Sequence, residues 1–372
     1  MKYLSEFRDP VLAQALLARI AAEVQPGQRY RLMEFCGGHT HALARYGLPA
    51  LLPDNVRMVH GPGCPVCVLP TGRIDQAIRL ALEQPVMLCC YGDVLRVPAS
   101  DGLTLLKARA QGADVRMVYS PLDALELARK YPEREVVFFA IGFETTTPPS
   151  ASAILQAQAE GLTNFSVLCH HVLTLPAMQA ILDQPGGTPL DGLIGPAHVS
   201  TVIGSTPYLP LVAHYRKPLV VAGFEPLDLL QAILMLVRQV NEGRAEVENE
   251  FTRAVLPEGN RKAQALVDRV FAARSTFEWR GLGELPDSGL TLRVAYAAFD
   301  AERRFPQADY RRASDHKGCE CAAVLRGEKE PQACRLFGKA CTPEHPLGAC
   351  MVSAEGACAA SYTYGRAAME VR

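Results

Sequence analysis

An apolar stretch long enough to cross a bilayer is missing. Residues 136–143 are among the longest, against the roughly 18 consecutive apolar residues that a span requires. Charge of one sign is also missing: Lys plus Arg number 38 and Asp plus Glu 39, for a net charge of −1. With no basic surplus to neutralise a phosphate backbone, nucleic-acid binding is disfavoured. The first ten residues, MKYLSEFRDP, carry acids and no apolar core, unlike a secretory signal, so the expected location is the cytoplasm. No Gly-x-x-x-x-Gly-Lys-Ser/Thr string occurs, which argues against P-loop nucleotide chemistry. What is left, 49% hydrophobic and 21% charged over 372 residues, is the composition of a globular protein with two or three cores.

Cysteine is plentiful. The chain has 12, six before residue 319 and six from Cys319 to Cys358. In a reducing compartment, thiols at that density bind metal or do redox chemistry.

From residue 29 to about 244, short apolar runs alternate with helical patterns. The runs at 32–35, 56–60, 86–90, 115–119, 136–141, 165–169, 193–194 and 219–222 include several unbroken β-branched stretches, as expected for strands covered on both faces. Eight strand–helix units predict an α/β fold of two four-strand parallel sheets, divided near residues 119–134 and facing a cleft. The expected organisation is an N-terminal helix in 1–28, α/β domains at 29–120 and 121–244, and a Cys-rich, loop-rich domain at 245–372. Residues 227–240 are apolar nearly all round and predict a buried helix. The strings AIGFETT at 140 and VAGFEPL at 221 read as one strand-end turn used twice within the second sheet.

Reactive residues follow these strand ends, where the ligands of parallel sheets bind. The strongest string is Cys36-Gly-Gly-His39-Thr-His41. A helix starting near Thr40 would aim N–H groups at Cys36 and favour its thiolate. It fits a metal site, a thiol–imidazole pair, or a buried Cys with two turn-capping histidines. Gly61-Pro-Gly-Cys64-Pro-Val-Cys67 holds a Cys-x-x-Cys suited to a reversible disulfide or to two ligands of one metal. Asp93 follows the third strand, Glu144 the fifth, and His170 and His171 the sixth. His198 sits in Pro-Ala-His-Val-Ser at the seventh. Cys89, Cys90 and Cys169 read as core. The C-terminal set is Cys319, Cys321, Cys334, Cys341, Cys350 and Cys358. Its spacing suits an iron–sulfur cluster better than the paired Cys-x2-Cys knuckles of zinc, and it leaves two thiols spare for a disulfide.

Taken in order, CGGHTH (36–41), GPGCPVCVLP (61–70), GFETT (142–146), PAHVSTVIG (196–204), AGFEPLDLL (222–230) and MVSAEGAC (351–358) resemble the HypD family of [NiFe] hydrogenase maturation factors. The resemblance runs through most of the chain. It implies a scaffold on which the Fe(CN)2(CO) group is assembled together with the small chaperone HypC. Cyanide would arrive on HypE from a carbamoyl group installed by HypF. The iron-site cysteines map onto Cys36, Cys64 and Cys67, supported by His39 and His41, while Glu144, His198 and Glu355 line the same cleft. The [4Fe–4S] ligands map onto Cys321, Cys334, Cys341 and Cys358, with Cys319 and Cys350 as the spare redox pair; a ligand set beginning at Cys319 is the alternative. A stand-alone iron–sulfur thiol–disulfide oxidoreductase and a zinc-stabilised interaction protein are the competing functions.

Overall fold

The computed structural model describes residues 5–187 and 189–369. Strands β1 (Tyr30–Glu34) and β2 (Val56–His60) come first, followed by β3 (Val86–Cys90), β4 (Asp114–Met117), β5 (Glu135–Gly142) and β6 (Phe165–His171). The body closes with β7 (Gly192–Gly195), β8 (Leu219–Val221) and β9 (Val247–Asn249). All pair in parallel, in two sheets ordered β2-β1-β7-β8-β9 and β4-β3-β5-β6.

The unbroken apolar runs become strands buried on both faces. In β5, Val137, Phe139 and Ile141 enter one core while Val136, Phe138 and Ala140 enter another, as period-two geometry requires. Each fully buried phenylalanine contributes about 2 kcal/mol of apolar burial. The core holding Phe139 also takes in Cys64, Cys67, Cys321 and Cys350, so the second sheet packs directly on the sulfur-bearing segments.

Sheet membership does not follow the division expected near residues 119–134. The chain makes β1 and β2, leaves to build the whole of the second sheet, and returns to add β7, β8 and β9 beside β1. The physical reason lies in β1, whose Leu32, Met33 and Glu34 are fully buried. It therefore needs a neighbour on each side, and β7 fills the side that β2 leaves open. The repeated strand-end turn consequently falls in different sheets, after β5 and after β8.

The expected buried helix is present as Pro226–Glu242, started by a capping box between Glu225 and Asp228 and closed by Gly243 at φ 65°. Helix Pro10–Glu23 packs along it and is pinned by Arg238 to Glu23, Nη2 to Oε1, at 2.6 Å. After β9 come two small antiparallel pairs, β10 (Phe271–Ala273) with β13 (Leu290–Leu292) and β11 (Thr276–Trp279) with β12 (Gly283–Pro286). The cysteine-rich stretch has only helix Cys321–Leu325 and single 3-10 turns before helix Ala357–Met369, which lies against helix Gly37–Arg45. Among the described residues, no helix is long and apolar enough to cross a membrane.

Candidate thiol and metal site

Two turns built for close approach meet at the ends of β1 and β2. Cys36 caps helix Gly37–Arg45, and the Gly37 N–H donates to the Gly63 carbonyl at 2.9 Å. A Cβ on Gly63 would lie 2.5 Å from the Cys36 nitrogen, so only glycine lets the backbones touch there. A Cβ on Gly37 would lie 2.5 Å from the Glu355 Cβ, and one on Gly38 2.4 Å from the Phe224 ring. The Cys36 turn is thus boxed in by the Cys64 turn, by the loop before the last helix and by the turn after β8. Cys64 and Cys67 form a disulfide with Cα atoms 5.2 Å apart; both are buried.

Around Cys36 stand the imidazole of His198 and the carboxylates of Glu34 and Glu355. His198 Nδ1 lies 3.8 Å from Cys36 Sγ, and its ring leans on Phe224 at a tilt of 46°, centroids 4.3 Å apart. His39 lies against the same phenylalanine at 5.0 Å, and its Nε2 meets the Ala222 carbonyl at 2.9 Å. Burial lowers the pKa of both histidines, and for His198 the charge of His39 adds to it. Glu34 accepts from the Cys36 N–H at 3.0 Å, from the Thr40 hydroxyl and from His60 Nδ1 at 3.0 Å. That last pairing follows from register, because Glu34 stands opposite His60 across β1 and β2. Burial raises the Glu355 pKa, and the charges of Asp93 and Glu34 raise it further.

The expectation of a helix-stabilised thiolate at Cys36 is overturned. Burial, followed by the charge of Glu355, pushes this thiol up to about 12, outweighing the hydrogen bond from Gly38. Desolvation removes more than one helix terminus returns.

Other expected site residues lie elsewhere. His41 turns away, with Nδ1 on the Ala354 carbonyl at 3.2 Å and its ring edge-on to Tyr364, so it docks the last helix. Glu144 accepts from the Thr174 N–H and hydroxyl, both at 2.8 Å, and fastens the turn after β6. His170 and His171 are interior: His171 meets Ser150 Oγ at 2.9 Å and is brought down to about 4 by burial, while His170 packs edge-on against Phe139. Cys89, Cys90 and Cys169 are core thiols pushed up to about 12 by burial.

The C-terminal sulfurs surround one small pocket lined also by Leu336, Phe337 and Met351. Here the expected pairing changes. Cys350 bonds Cys321, not Cys319, which leaves Cys319, Cys334, Cys341 and Cys358 as free thiols on the pocket wall. The sequence separates Cys319 from Cys321 by one residue, and spacing cannot say which one faces inward; helix Cys321–Leu325 turns Cys321 into the core. The Leu347 N–H donates to Cys341 Sγ at 3.3 Å. Among the described residues, no three His, Cys, Asp or Glu side chains close on a point fit for a single ion. Four thiols spread around a pocket match the donor set of a four-iron cluster instead, whose ligands stand apart at its corners.

Glu34, His60 and Phe224 are absent from the sequence-derived set. The available signal was a carboxylate set directly after the apolar pair Leu32 and Met33, two residues before Cys36.

Fold and site together define an α/β protein with a buried thiol–carboxylate centre beside a disulfide, and a pocket of free cysteines behind it. The HypD family, described as "Hydrogenase formation hypA family", matches residues 11–365. The chain is 65% identical to the "Hydrogenase expression/formation protein HupD" of Azotobacter chroococcum mcd 1, over 100% of both chains. It is 65% identical to the "Hydrogenase maturation factor HypD" of Azotobacter vinelandii, over 98% of this chain and 97% of that one. For the protein of the same title from Escherichia coli K12 the identity is 45%, over 98% of each. The chain belongs to the HypD family of hydrogenase maturation factors.

Proposed function

We propose that this protein is the scaffold on which the Fe(CN)2(CO) unit of a [NiFe] hydrogenase is assembled with HypC, with cyanide supplied through HypE and, upstream, HypF. It is part metal-binding protein and part redox catalyst. The observation that supports the reading is the backbone contact between the Cys36 and Cys64 turns, which sets the segments bearing Cys36, Cys64 and Cys67 side by side. Low-spin iron(II) bearing cyanide and carbonyl is soft and suits thiolate ligands. Cys36 is assigned as its direct ligand. His198 is positioned to take the Cys36 proton as iron binds, and Glu34 holds the backbone of that turn.

In the observed disulfide Cys64 and Cys67 carry no thiolate to offer. Opening it takes two electrons and two protons and yields two thiols able to bind iron or to act on the cyanide carrier. Cys319, Cys334, Cys341 and Cys358 are assigned as holders of a [4Fe–4S] cluster. When bound, that group supplies single electrons. The Cys321–Cys350 disulfide borders both its pocket and the core containing Cys64 and Cys67.

Infrared spectra of the complex with HypC test the proposal. Cyanide and carbonyl stretches are expected in the wild type and absent in Cys36→Ala; a silent wild-type complex refutes the scaffold. The preformed Cys64–Cys67 disulfide also favours a second reading, a stand-alone thiol–disulfide oxidoreductase. That reading predicts disulfide turnover undiminished in Cys36→Ala.

A further inference from the structure

The turn after β8 is tied down at consecutive residues. β8 and β9 run in parallel with Val221 opposite Asn249, so residues 222–226 and 250–253 leave the sheet side by side. Glu250 Oε2 accepts from the Gly223 N–H at 3.1 Å, and Asp228 Oδ2 accepts from the Glu225 N–H at 3.2 Å. Gly223 presses so closely on these groups that a Cβ there would lie 2.1 Å from Asp228 Oδ2 and 2.7 Å from the Phe251 ring. From the N-terminal turn, Arg8 Nη2 reaches Glu225 Oε1 at 2.8 Å. Between the pinned residues stands Phe224, whose ring lies 4.3 Å from that of His198 and 5.0 Å from that of His39.

Helix capping alone does not explain this arrangement. A capping box asks its carboxylate only to accept a backbone N–H. The Asp228 side chain is fully buried and ion-paired with Arg253, whose guanidinium lies over the rings of Phe7 at 3.8 Å and Phe251 at 4.4 Å. Burying a charge is costly even when it is paired, and an exposed carboxylate would cap the helix as well. What the buried pair adds is a fixed place for the turn. Asp228 is locked by Arg253, Arg253 is held by two rings, and one of those rings, Phe251, meets Phe224 edge-on at 6.4 Å. Burial, then the charge of Asp228, raises the Glu250 pKa while Arg253 opposes the rise, so both acids depend on the one cation.

We propose that Arg253 and Asp228 are positioning residues of the thiol centre: they fix the turn after β8 so that Phe224 walls in Cys36 and holds His198 against it. Phe7 of the N-terminal turn belongs to the same device, as a platform for Arg253. The ring transmits the effect, because it packs on both histidines and leaves no room for a side chain on Gly38, two residues from Cys36. This adds to the assignment of Cys36 as the iron ligand, and its test needs no iron.

The test is alkylation of the full chain with iodoacetamide, without reductant so that the disulfides stay closed, each cysteine being followed by mass spectrometry. Buried thiols react through local or global opening. In Arg253→Met, Cys36 reacts about tenfold faster, while Cys89, buried in the second sheet, keeps its wild-type rate. Arg253→Lys keeps the charge and restores most of the protection. Phe224→Ala speeds Cys36 as well, and the double variant reacts no faster than Phe224→Ala alone, because a residue acting through the ring has nothing further to release. Phe7→Ala raises the Cys36 rate in the same direction and decides the matter should Arg253→Met fail to fold. An unmoved Cys36, equal acceleration of Cys36 and Cys89, or multiplied effects in the double variant overturn the proposal. Infrared silence of the wild-type complex with HypC would sink the iron reading and leave this result standing, so the two failures are told apart.

Discussion

Glu34 carries three hydrogen bonds on two oxygens while fully buried, and one of its partners is a titrating group. For His60, burial lowers the pKa but the hydrogen bond and charge of Glu34 outweigh it, so the folded-state value lies above the unfolded one. A raised histidine stabilises the fold fully below its unfolded pKa of about 6.5 and loses that contribution as pH rises through the folded value. Stability from this pair should therefore fall with increasing pH above about 6.5. Denaturant titrations at several pH values check it, with His60→Gln flattening the slope; an unchanged slope removes the pair from the account. At Gly63 the expectation is steric. Gly63→Ala places a methyl against the backbone of Cys36, which no side-chain rotation relieves, at a cost of about 1–3 kcal/mol. Chemical denaturation measures the loss, and infrared bands should weaken under conditions where the variant is still folded. Glu144→Gln, by contrast, should leave those bands intact. Its carboxylate serves Thr174, and Glu144→Ala should cost about 1–3 kcal/mol by stranding the buried Thr174 N–H.

Among the elements, helix Cys321–Leu325 decides which sulfurs are free. Because it turns Cys321 toward Cys350, Cys319→Ser should lose cluster iron and its visible absorbance, whereas Cys321→Ser should keep about four irons per chain. Iron analysis after anaerobic reconstitution separates the two; the reverse result restores the set beginning at Cys321. This is also where sequence reading reached its limit. The glycines around Cys36 and Cys64 marked close approach, and the apolar runs marked strands, because both depend on local chemistry that a string of residues records. Which of two cysteines one residue apart faces a pocket depends on helix phase and on packing from Val324 and Leu325, which spacing does not encode. The thiolate expected at Cys36 failed for a related reason. The helix terminus is local and legible, but the desolvation that overrules it comes from segments scattered along the chain, the Gly63, His198 and Phe224 turns among them. The Glu355 charge that adds to it lies 319 residues away.

At the scale of the molecule, the site exists because the chain crosses between sheets. Cys36 and Cys64 hang from the first sheet, and Cys64 and Cys67 pack into the core of the second. His198 returns on the helix after β7, and Glu355 comes from the cysteine-rich region. Alternation of strands and helices revealed the α/β class but not this order, since parallel crossovers of similar length connect neighbours and non-neighbours alike. The consequence is a chain whose N-terminal third is not an independent unit. A fragment ending at residue 120 contains β1 without β7 and β3 without β5, and so exposes the faces and edges of strands that are otherwise buried. Its second sheet would be a two-stranded remnant, too small to hold a core. Such a fragment should show no cooperative thermal transition by circular dichroism and should bind no iron unit even though it carries Cys36, Cys64 and Cys67. A sharp two-state melt with native-like spectra from residues 1–120 would mean that the first α/β unit folds without its returning strands, and that the thiol centre needs far less of the chain than the interleaved sheets require.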